Sequence, residues 1–188
     1  MILEKNWYIQ SSEKAVEDGS IISSPSFSTN HWFNTQVPST ILGTLVNTGI
    51  YKNVYVGNNL KKIHAEQFQK TWWYRTEFSL SHKDHSEFVK IEFEGINYRA
   101  NIWLNGKLIA NEENVFGSFR MFTFDISNIV NRNGKNVLAV EVIPPKAGDP
   151  TISFADWNPA PLDNNMGIFR HVKLLFSGDV AINYPFVK

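Results

Sequence analysis

The sequence predicts an all-β fold, an antiparallel β-sandwich, from three observations. Short segments of alternating or continuous apolar character recur along the chain, and Phe88 to Phe93 alternates most cleanly. A period of two is the pattern of half-buried strands. Turn residues separate these segments, and helical periodicity is weak. The strand–helix–strand spacing that builds parallel sheets is absent, so we expect the strands to pair antiparallel.

Seven segments have strand character, and two have weak helical character. The Asn105-Gly106 dipeptide separates two of the strands, and it predicts a tight hairpin because both positions tolerate positive φ. Thr40 to Asn47 is expected to form a short helix, and Ile126 to Val130 a single turn. The expected strands are Thr71 to Leu80, Phe88 to Phe93, Ala100 to Leu104, Lys107 to Ala110, Phe119 to Phe124, Asn136 to Ile143 and Arg170 to Phe176.

Three long segments interrupt the predicted sheets: Ser23 to Asn34, Gly49 to Gln67, and Pro144 to Asn165. Loops of this length in a compact domain are usually functional or disordered. After the last strand, Gly178 to Lys188 has the character of an extended strand that begins without a partner. We therefore expect one domain over residues 1–178, and residues 179–188 as the start of a linker or strand into a further domain. Strand number alone leaves a jelly roll and an immunoglobulin topology open, although the missing Cys…Trp…Cys framework disfavours the second.

Composition excludes several classes of function. Lys and Arg together number 18, as do Asp and Glu, and without a basic cluster we expect no nucleic-acid partner. The chain has no cysteine, which excludes disulfides, thiolate metal sites and a cysteine nucleophile. No apolar run approaches the roughly 18 residues of a membrane span. The first residues lack the regions of a signal peptide. They are compatible with a processed periplasmic or secreted bacterial protein, which is favoured, or with a cytoplasmic one.

The segment Phe154 to Arg170 concentrates carboxylates, amides and an indole between two apolar strands. Carboxylates and amides hydrogen-bond to vicinal hydroxyls, and an indole face packs against the C–H face of a pyranose ring. The mixture predicts part of a carbohydrate-binding pocket. Candidate contacts within it are Asp156, Trp157, Asn158, Asp163, Asn164 and Asn165.

Each candidate also has a structural explanation. Asp156 could cap a turn and Trp157 could fill the core beneath the loop, while residues 163–165 precede a predicted turn, where Asx side chains are common for backbone reasons alone. Asn97 and Arg99 follow a glycine that ends a strand, and they are further candidates for sugar contact. The alternative for this pair is a polar corner with a structural ion pair.

Several motifs occur in an order that carries a family resemblance. They are Val37-Pro38-Ser39-Thr40, Trp72-Trp73-Tyr74-Arg75, Gly95 through Gly106, and Asp156-Trp157-Asn158-Pro159 through Met166-Gly167-Ile168-Phe169-Arg170. Together they resemble the N-terminal sugar-binding domain of glycoside hydrolase family 2, and the resemblance covers essentially the whole chain. The Asp156 loop is most similar to the exo-β-D-glucosaminidase branch of that family. Ala155 stands where β-mannosidases tend to have an aromatic residue.

The resemblance implies a jelly-roll, galactose-binding-domain-like sandwich. It also implies that an immunoglobulin-like domain and a TIM barrel with two catalytic glutamates follow, and that the Asp156 loop helps to form the subsite for a terminal β-linked sugar. Retaining hydrolysis needs two carboxylates about 5–5.5 Å apart. Glu112 follows an asparagine, as the family's acid/base does, but it lies in a polar loop after a hairpin strand rather than at a barrel strand end.

We therefore expect a non-catalytic carbohydrate-binding domain of a β-glycosidase, an enzyme that hydrolyses O-glycosyl bonds. Alone it should be inactive, and we expect it to need neither a cofactor nor a metal. The two histidines of His82 to His85 have metal-ligand spacing, but they lie in a charged turn without further ligands. Two alternatives remain: a stand-alone carbohydrate-binding module, and a structural scaffold whose loops contact only neighbouring domains. The scaffold predicts a large exposed apolar patch.

Overall fold

The computed structural model describes residues 1–81, 87–151, 161–182 and 185–187, and these form an antiparallel β-sandwich. The expected all-β, jelly-roll architecture is confirmed. A six-stranded sheet of order β2-β1-β4-β9-β6-β7 faces a three-stranded sheet of order β11-β5-β8, and β10 pairs with β3 beside them. The strands are β1 (Trp7–Ser11), β2 (Phe33–Thr35), β3 (Ser39–Thr40), β4 (Trp72–Ser79), β5 (Phe88–Phe93), β6 (Arg99–Leu104), β7 (Lys107–Ala110), β8 (Phe122–Asp125), β9 (Lys135–Ile143), β10 (Gly167–Ile168) and β11 (Val172–Ser177).

Helical structure is sparse, as the sequence predicts. Helix α1 spans Gly19–Ile22, and α2 spans Ile41–Asn47 with the Thr40 hydroxyl accepting a hydrogen bond from the Gly43 amide. Ile126 to Val130 makes the single expected turn, closed by a 2.9 Å bond from the Val130 amide to the Ile126 carbonyl. Two 3₁₀ segments, Leu60–Lys62 and Ala65–Gln69, lie in the second long loop. Within the described ranges, no helix has the length and apolarity needed to cross a membrane.

The seven predicted strands are confirmed, and the strands that the sequence did not predict are short or lack an alternation of burial. All seven expected strands are present, and the largest displacement is that of Phe119 to Phe124, which becomes β8 at Phe122–Asp125. Strand β1 was not predicted, because only Tyr8 of its five residues is not buried and no two-residue period results. The described residues of the tail, 178–182 and 185–187, belong to no strand, so the strand expected there is not seen in them.

The main core lies between the two sheets. Trp7 and Ile9 of β1, with the inward residues of β4, β6 and β9, pack toward the inward residues of β5 and β11. The hairpin at Asn105-Gly106 has the predicted geometry, with φ of 52° and 82°. Its Asn105 side chain also accepts a hydrogen bond from the Val137 amide at 2.9 Å, which joins the turn to β9.

A second cluster covers the outer face of the large sheet. Residues between β1 and β2 fold across this face, and the buried Ile22 packs there with Trp73. Trp103 of β6 lies against Trp73 with ring centroids 5.3 Å apart. An added Cβ at Gly19 would come within 2.3 Å of the Trp103 ring, so the glycine permits this close approach. Trp103 therefore has a packing role.

Candidate functional site

The candidate site is the segment between β9 and β10, which carries the predicted sugar contacts. Asp156, Trp157 and Asn158 lie outside the described residues, which resume at Pro161. On either side of residues 152–160, two stems are described, one at residues 144–151 and the other at 161–166. Both stems are attached to the same corner of the sandwich, residues 97–99 at the start of β6.

Arg99 holds the first stem by an ion pair with Asp149. The two terminal guanidinium nitrogens donate to the two carboxylate oxygens at 2.5 and 2.6 Å. One of those oxygens also accepts a 2.6 Å bond from the Lys146 amide. The Arg99 side chain is 18% exposed and that of Asp149 13%. The hydrogen bond from Arg99 lowers the pKa of Asp149, and the same bond raises the pKa of Arg99.

Asn97 holds the second stem, and its side chain is fully buried. Its Nδ2 donates to the Asn164 carbonyl at 2.7 Å, and its Oδ1 accepts from the Ser118 hydroxyl at 2.8 Å. The backbone of Asn97 exchanges two 2.9 Å hydrogen bonds with Gly167. The structural alternative for Asn97 and Arg99, a polar corner with an ion pair, therefore describes their contacts.

Asp163 connects the second stem to helix α2. One carboxylate oxygen accepts from the Leu42 amide at 2.8 Å and the other from the Asn165 amide at 3.0 Å. Asp163 is only 1% exposed, and its carboxylate oxygens accept hydrogen bonds from backbone amides. Desolvation by burial is the largest influence on this carboxyl and raises its pKa, although the hydrogen bond from Leu42 acts in the opposite direction.

Asn164 and Asn165 form the turn that follows, and both have left-handed backbones with φ of 49° and 56°. Asparagine adopts this conformation more readily than most residues. Asn164 is exposed and Asn165 half-buried. Among the predicted contacts that the structure describes, Asn164 is therefore the most open to a ligand, and Asn165 and Arg99 are partly open.

Gly167 permits the close packing on which the second stem depends. Its φ is 146°, and a Cβ would lie 2.5 Å from the Tyr74 hydroxyl and 2.7 Å from the Ser39 carbonyl oxygen. Tyr74 donates to that carbonyl at 2.9 Å. A larger residue would separate β10 from β3 and from Asn97. The Met-Gly-Ile-Phe-Arg motif thus owes its glycine to space and backbone conformation.

Two residues of this arrangement were not identified from the sequence: Asp149 and Ser118. Asp149 follows Gly148 and precedes Pro150, a context that indicates a turn and gives no sign of a partner fifty residues earlier.

Glu112 and the His82 to His85 turn are the remote candidates for catalysis and for metal binding. The backbone amide of Glu112 donates a 2.8 Å hydrogen bond to Asn101 Oδ1 of β6. In the described part of the chain, no group of three His, Cys, Asp or Glu residues is arranged to hold a metal ion. The His82 to His85 turn lies outside it.

Replacing Arg99 with methionine should loosen the first stem without unfolding the domain. We expect faster hydrogen exchange at residues 146–151 and a loss of about 1 kcal/mol, because the ion pair is partly exposed. The pKa of Asp149 is lowered in the fold, so the pair stabilises above the unfolded value of 3.8, and this contribution disappears as pH falls through the folded value. Urea unfolding of wild type and Arg99→Met between pH 2 and 7 measures this difference.

Lys107→Met, on the exposed hairpin strand, is the control for loss of a surface cation. A difference between wild type and Arg99→Met that persisted undiminished at pH 2 would contradict the ion-pair role. It would indicate that Arg99 acts by packing over the Tyr98 ring, whose centroid lies 4.7 Å from the guanidinium carbon.

Comparison with known proteins supports a single family. The profile described as "Glycosyl hydrolase 2 galactose-binding domain-like" matches residues 7–170. An exo-β-D-glucosaminidase of Amycolatopsis orientalis is 33% identical over 176 residues, covering 93% of this chain and 17% of the relative. A mannosylglycoprotein endo-β-mannosidase of Lilium longiflorum is 32% identical, covering 84% of this chain and 19% of the relative.

A solved structure agrees in fold as well as in sequence. The crystal structure of the exo-chitosanase of Amycolatopsis orientalis superposes with a TM-score of 0.87 at 33% identity, covering 96% of this chain and 21% of that one. The chain thus spans about a fifth of the length of the relatives that it matches. With a family profile matched over most of its length and this shared sandwich, the chain belongs to the galactose-binding-like domains of glycoside hydrolase family 2.

Proposed function

We propose that this chain is the non-catalytic sugar-binding domain of a family 2 β-glycosidase, and that residues 152–160 contribute to the subsite for a terminal β-linked sugar. The observation that carries the proposal is the attachment of both stems to one corner. Arg99 fixes Asp149 on one side, and Asn97 fixes Asn164 on the other. A segment rich in sugar-binding side chains is therefore joined at both ends to the rigid sheet, as a binding loop requires.

Asp156 is the proposed principal polar contact, with Trp157 and Asn158 beside it in the motif and Asn164 and Asn165 at the second stem. A carboxylate accepts hydrogen bonds from sugar hydroxyls, and it can pair with the ammonium group of a glucosamine. Charge-assisted bonds are about twice as strong as neutral ones. The names of the relatives support a glucosaminide first and a mannoside second. A galactoside is the third proposed substrate.

The proposed partners are an immunoglobulin-like domain and a TIM barrel of the same polypeptide, with the barrel supplying two catalytic glutamates. In this arrangement residues 1–178 form the sugar-binding domain and residues 179–188 lead toward the next one. Support comes from the length of the relatives, of which the matched region is about one fifth. Hydrolysis of the O-glycosyl bond then requires carboxylates from outside this domain.

Asp156→Ala in the polypeptide expressed from its complete natural reading frame tests the proposal. We expect kcat/KM for an aryl β-glucosaminide, β-mannoside or β-galactoside to fall roughly 10- to 100-fold, which corresponds to the loss of one charged hydrogen bond. Glu17→Ala removes an exposed carboxylate outside the site and should have no effect. Unchanged kcat/KM for every substrate would remove Asp156 from the subsite.

Titration of the isolated 188-residue chain separates this proposal from a stand-alone module. Chitosan, mannan and galactan oligosaccharides should bind with millimolar affinity or not at all, because the remaining contacts of the subsite come from another domain. Micromolar binding by the isolated chain would instead support an independent carbohydrate-binding module.

A further inference from the structure

Three aromatic rings and two arginines form a surface beside the corner that holds the loop stems. We call it the aromatic patch, and its members are Phe116, Phe119, Arg120, Phe169 and Arg170. Phe119 is 70% exposed and Phe116 41%. The rings of Phe119 and Phe169 meet edge to face, with centroids 6.4 Å apart and an interplanar angle of 88°. Contiguous exposed apolar surface of this kind marks interaction sites.

The two guanidinium groups of the patch lie on aromatic rings. The guanidinium carbon of Arg120 is 4.8 Å from the centroid of Phe116 and 5.0 Å from that of Phe122. Arg170 lies over Phe169 at 5.9 Å. Throughout the described ranges, neither arginine forms an ion pair with a carboxylate. The patch therefore offers two positive charges among apolar rings, and an acidic and apolar surface complements it.

Hydrogen bonds of the backbone and of side chains join the patch to the corner. The Gly117 amide donates to the Tyr98 carbonyl at 3.0 Å, and the Ser118 hydroxyl donates to Asn97. An added Cβ at Gly95 would lie 3.0 Å from the Phe169 ring and 3.2 Å from the Arg170 side chain, so both side chains rest directly on this glycine. The patch is thus packed directly against the corner that holds both loop stems.

We propose that the aromatic patch docks onto an acidic, apolar surface of another domain of the same polypeptide. The inference rests on the proposed function and adds the surface through which this domain meets its neighbour. The two positive charges of the patch support it, because an acidic surface would complement them. The relatives support it because they are about five times as long as this chain and have room for further domains. The position of the patch supports it too, because a neighbour that shares a subsite with the Asp156 loop must approach the corner that holds the loop.

Hydrogen exchange of the isolated chain and of the complete natural polypeptide provides the first test. Amides at residues 116–121 should exchange at least tenfold more slowly in the complete polypeptide. The Asn105–Gly106 hairpin, with the exposed Leu108 beside it, is the internal control and should exchange equally in both. Equal exchange at residues 116–121 in a polypeptide that hydrolyses β-glycosides would overturn the docking surface and leave the proposed function intact.

Variants provide the second test. Phe119→Asp and Arg120→Glu should lower the melting temperature of the isolated chain by only about 2–4 °C, because both side chains are exposed and lose only their contacts with neighbouring rings. In the complete polypeptide, each variant should make this domain unfold in a thermal transition of its own, below that of the other domains. Leu108→Asp should leave a single transition. A single unaltered transition in both variants would overturn the proposal.

The identity of the occupant is tested by sedimentation of the isolated chain at micromolar concentration. We expect a monomer. A dimer that Phe119→Asp converts to a monomer would overturn the proposal in favour of a second copy of the chain. A complete polypeptide without glycosidase activity that nevertheless protects residues 116–121 would retain the docking surface and refute the proposed function.

Discussion

Replacing Asp163 with alanine is expected to lower the free energy of unfolding by about 3 kcal/mol. The carboxylate accepts hydrogen bonds from the Leu42 and Asn165 amides, and the residue is 1% exposed. Without it, two amides would lose their partners where water has little access, and each buried unsatisfied group costs about 1–3 kcal/mol. Because the bonds join the second stem to α2, the loss should also free residues 161–166. Thermal unfolding should show a melting temperature lower by about 6–12 °C.

Asp163→Asn provides the matched control, since it keeps one oxygen acceptor and cannot ionise. We expect it to fall between wild type and Asp163→Ala. Burial raises the pKa of Asp163, so the stability that this group contributes is fully present below the unfolded value of 3.8 and declines as pH rises through the folded value. The stability of wild type relative to Asp163→Asn should therefore decrease across that window. A loss below about 1 kcal/mol in Asp163→Ala would show that the amides find other partners.

Replacing Arg75 with methionine is expected to cost about 3–5 kcal/mol, because the backbone carbonyls to which it donates would lose their partner and each buried unsatisfied group costs about 1–3 kcal/mol. The arginine is 2% exposed on the outer face of the large sheet. Its Nε donates to the Ile22 carbonyl at 2.9 Å, and its Nη2 donates to the Ser24 carbonyl at 3.1 Å and to Glu77 at 2.9 Å. The side chain thus holds the segment between β1 and β2 against the sheet. Methionine has similar length and no donor, so these acceptors would lose their partner.

Urea unfolding with intrinsic tryptophan fluorescence measures this loss, because Trp73 and Trp103 lie under the same segment. Arg75→Lys keeps the charge but cannot reproduce the planar set of donors, so it should recover only a minor part of the stability. Glu77→Gln alters a side chain that is 31% exposed and should cost less than either. An Arg75→Met variant as stable as wild type would mean that the segment is held by its apolar contacts with the sheet.

Secondary structure could be predicted where one face of an element is buried. Strand β5 alternates between buried and less buried residues, and its predicted bounds agree with the structure. Strand β1 is covered on both faces, so its burial has no period of two, and β3 and β10 contain only two residues each. These elements depend on neighbours distant in sequence, which local patterns do not contain.

The sequence predicts the candidate site as a segment, and the structure describes the contacts of the two stems of that segment. Polar residues in a loop indicated binding, yet the sequence does not show whether an oxygen faces solvent or a backbone amide. Asp163 meets Leu42 across 121 positions, and Arg99 meets Asp149 across 50. Their partners are fixed by the folded chain. The same chemistry that suits a carboxylate or an amide to a sugar hydroxyl also suits it to buried backbone groups.

In the proposed function, the principal residues that contact the sugar lie between two stems, and each stem is held by a different element of the fold. Arg99 belongs to β6, and Asp163 is joined to α2, so each contact holds an end of the loop to a regular element. Both aspartates, and Leu162, which packs against the main core, should therefore be kept when the residues between the stems are exchanged. A library of sequences grafted between residues 151 and 161 would leave both stems intact, and activity assays of the complete polypeptide would test whether this segment sets the sugar preference.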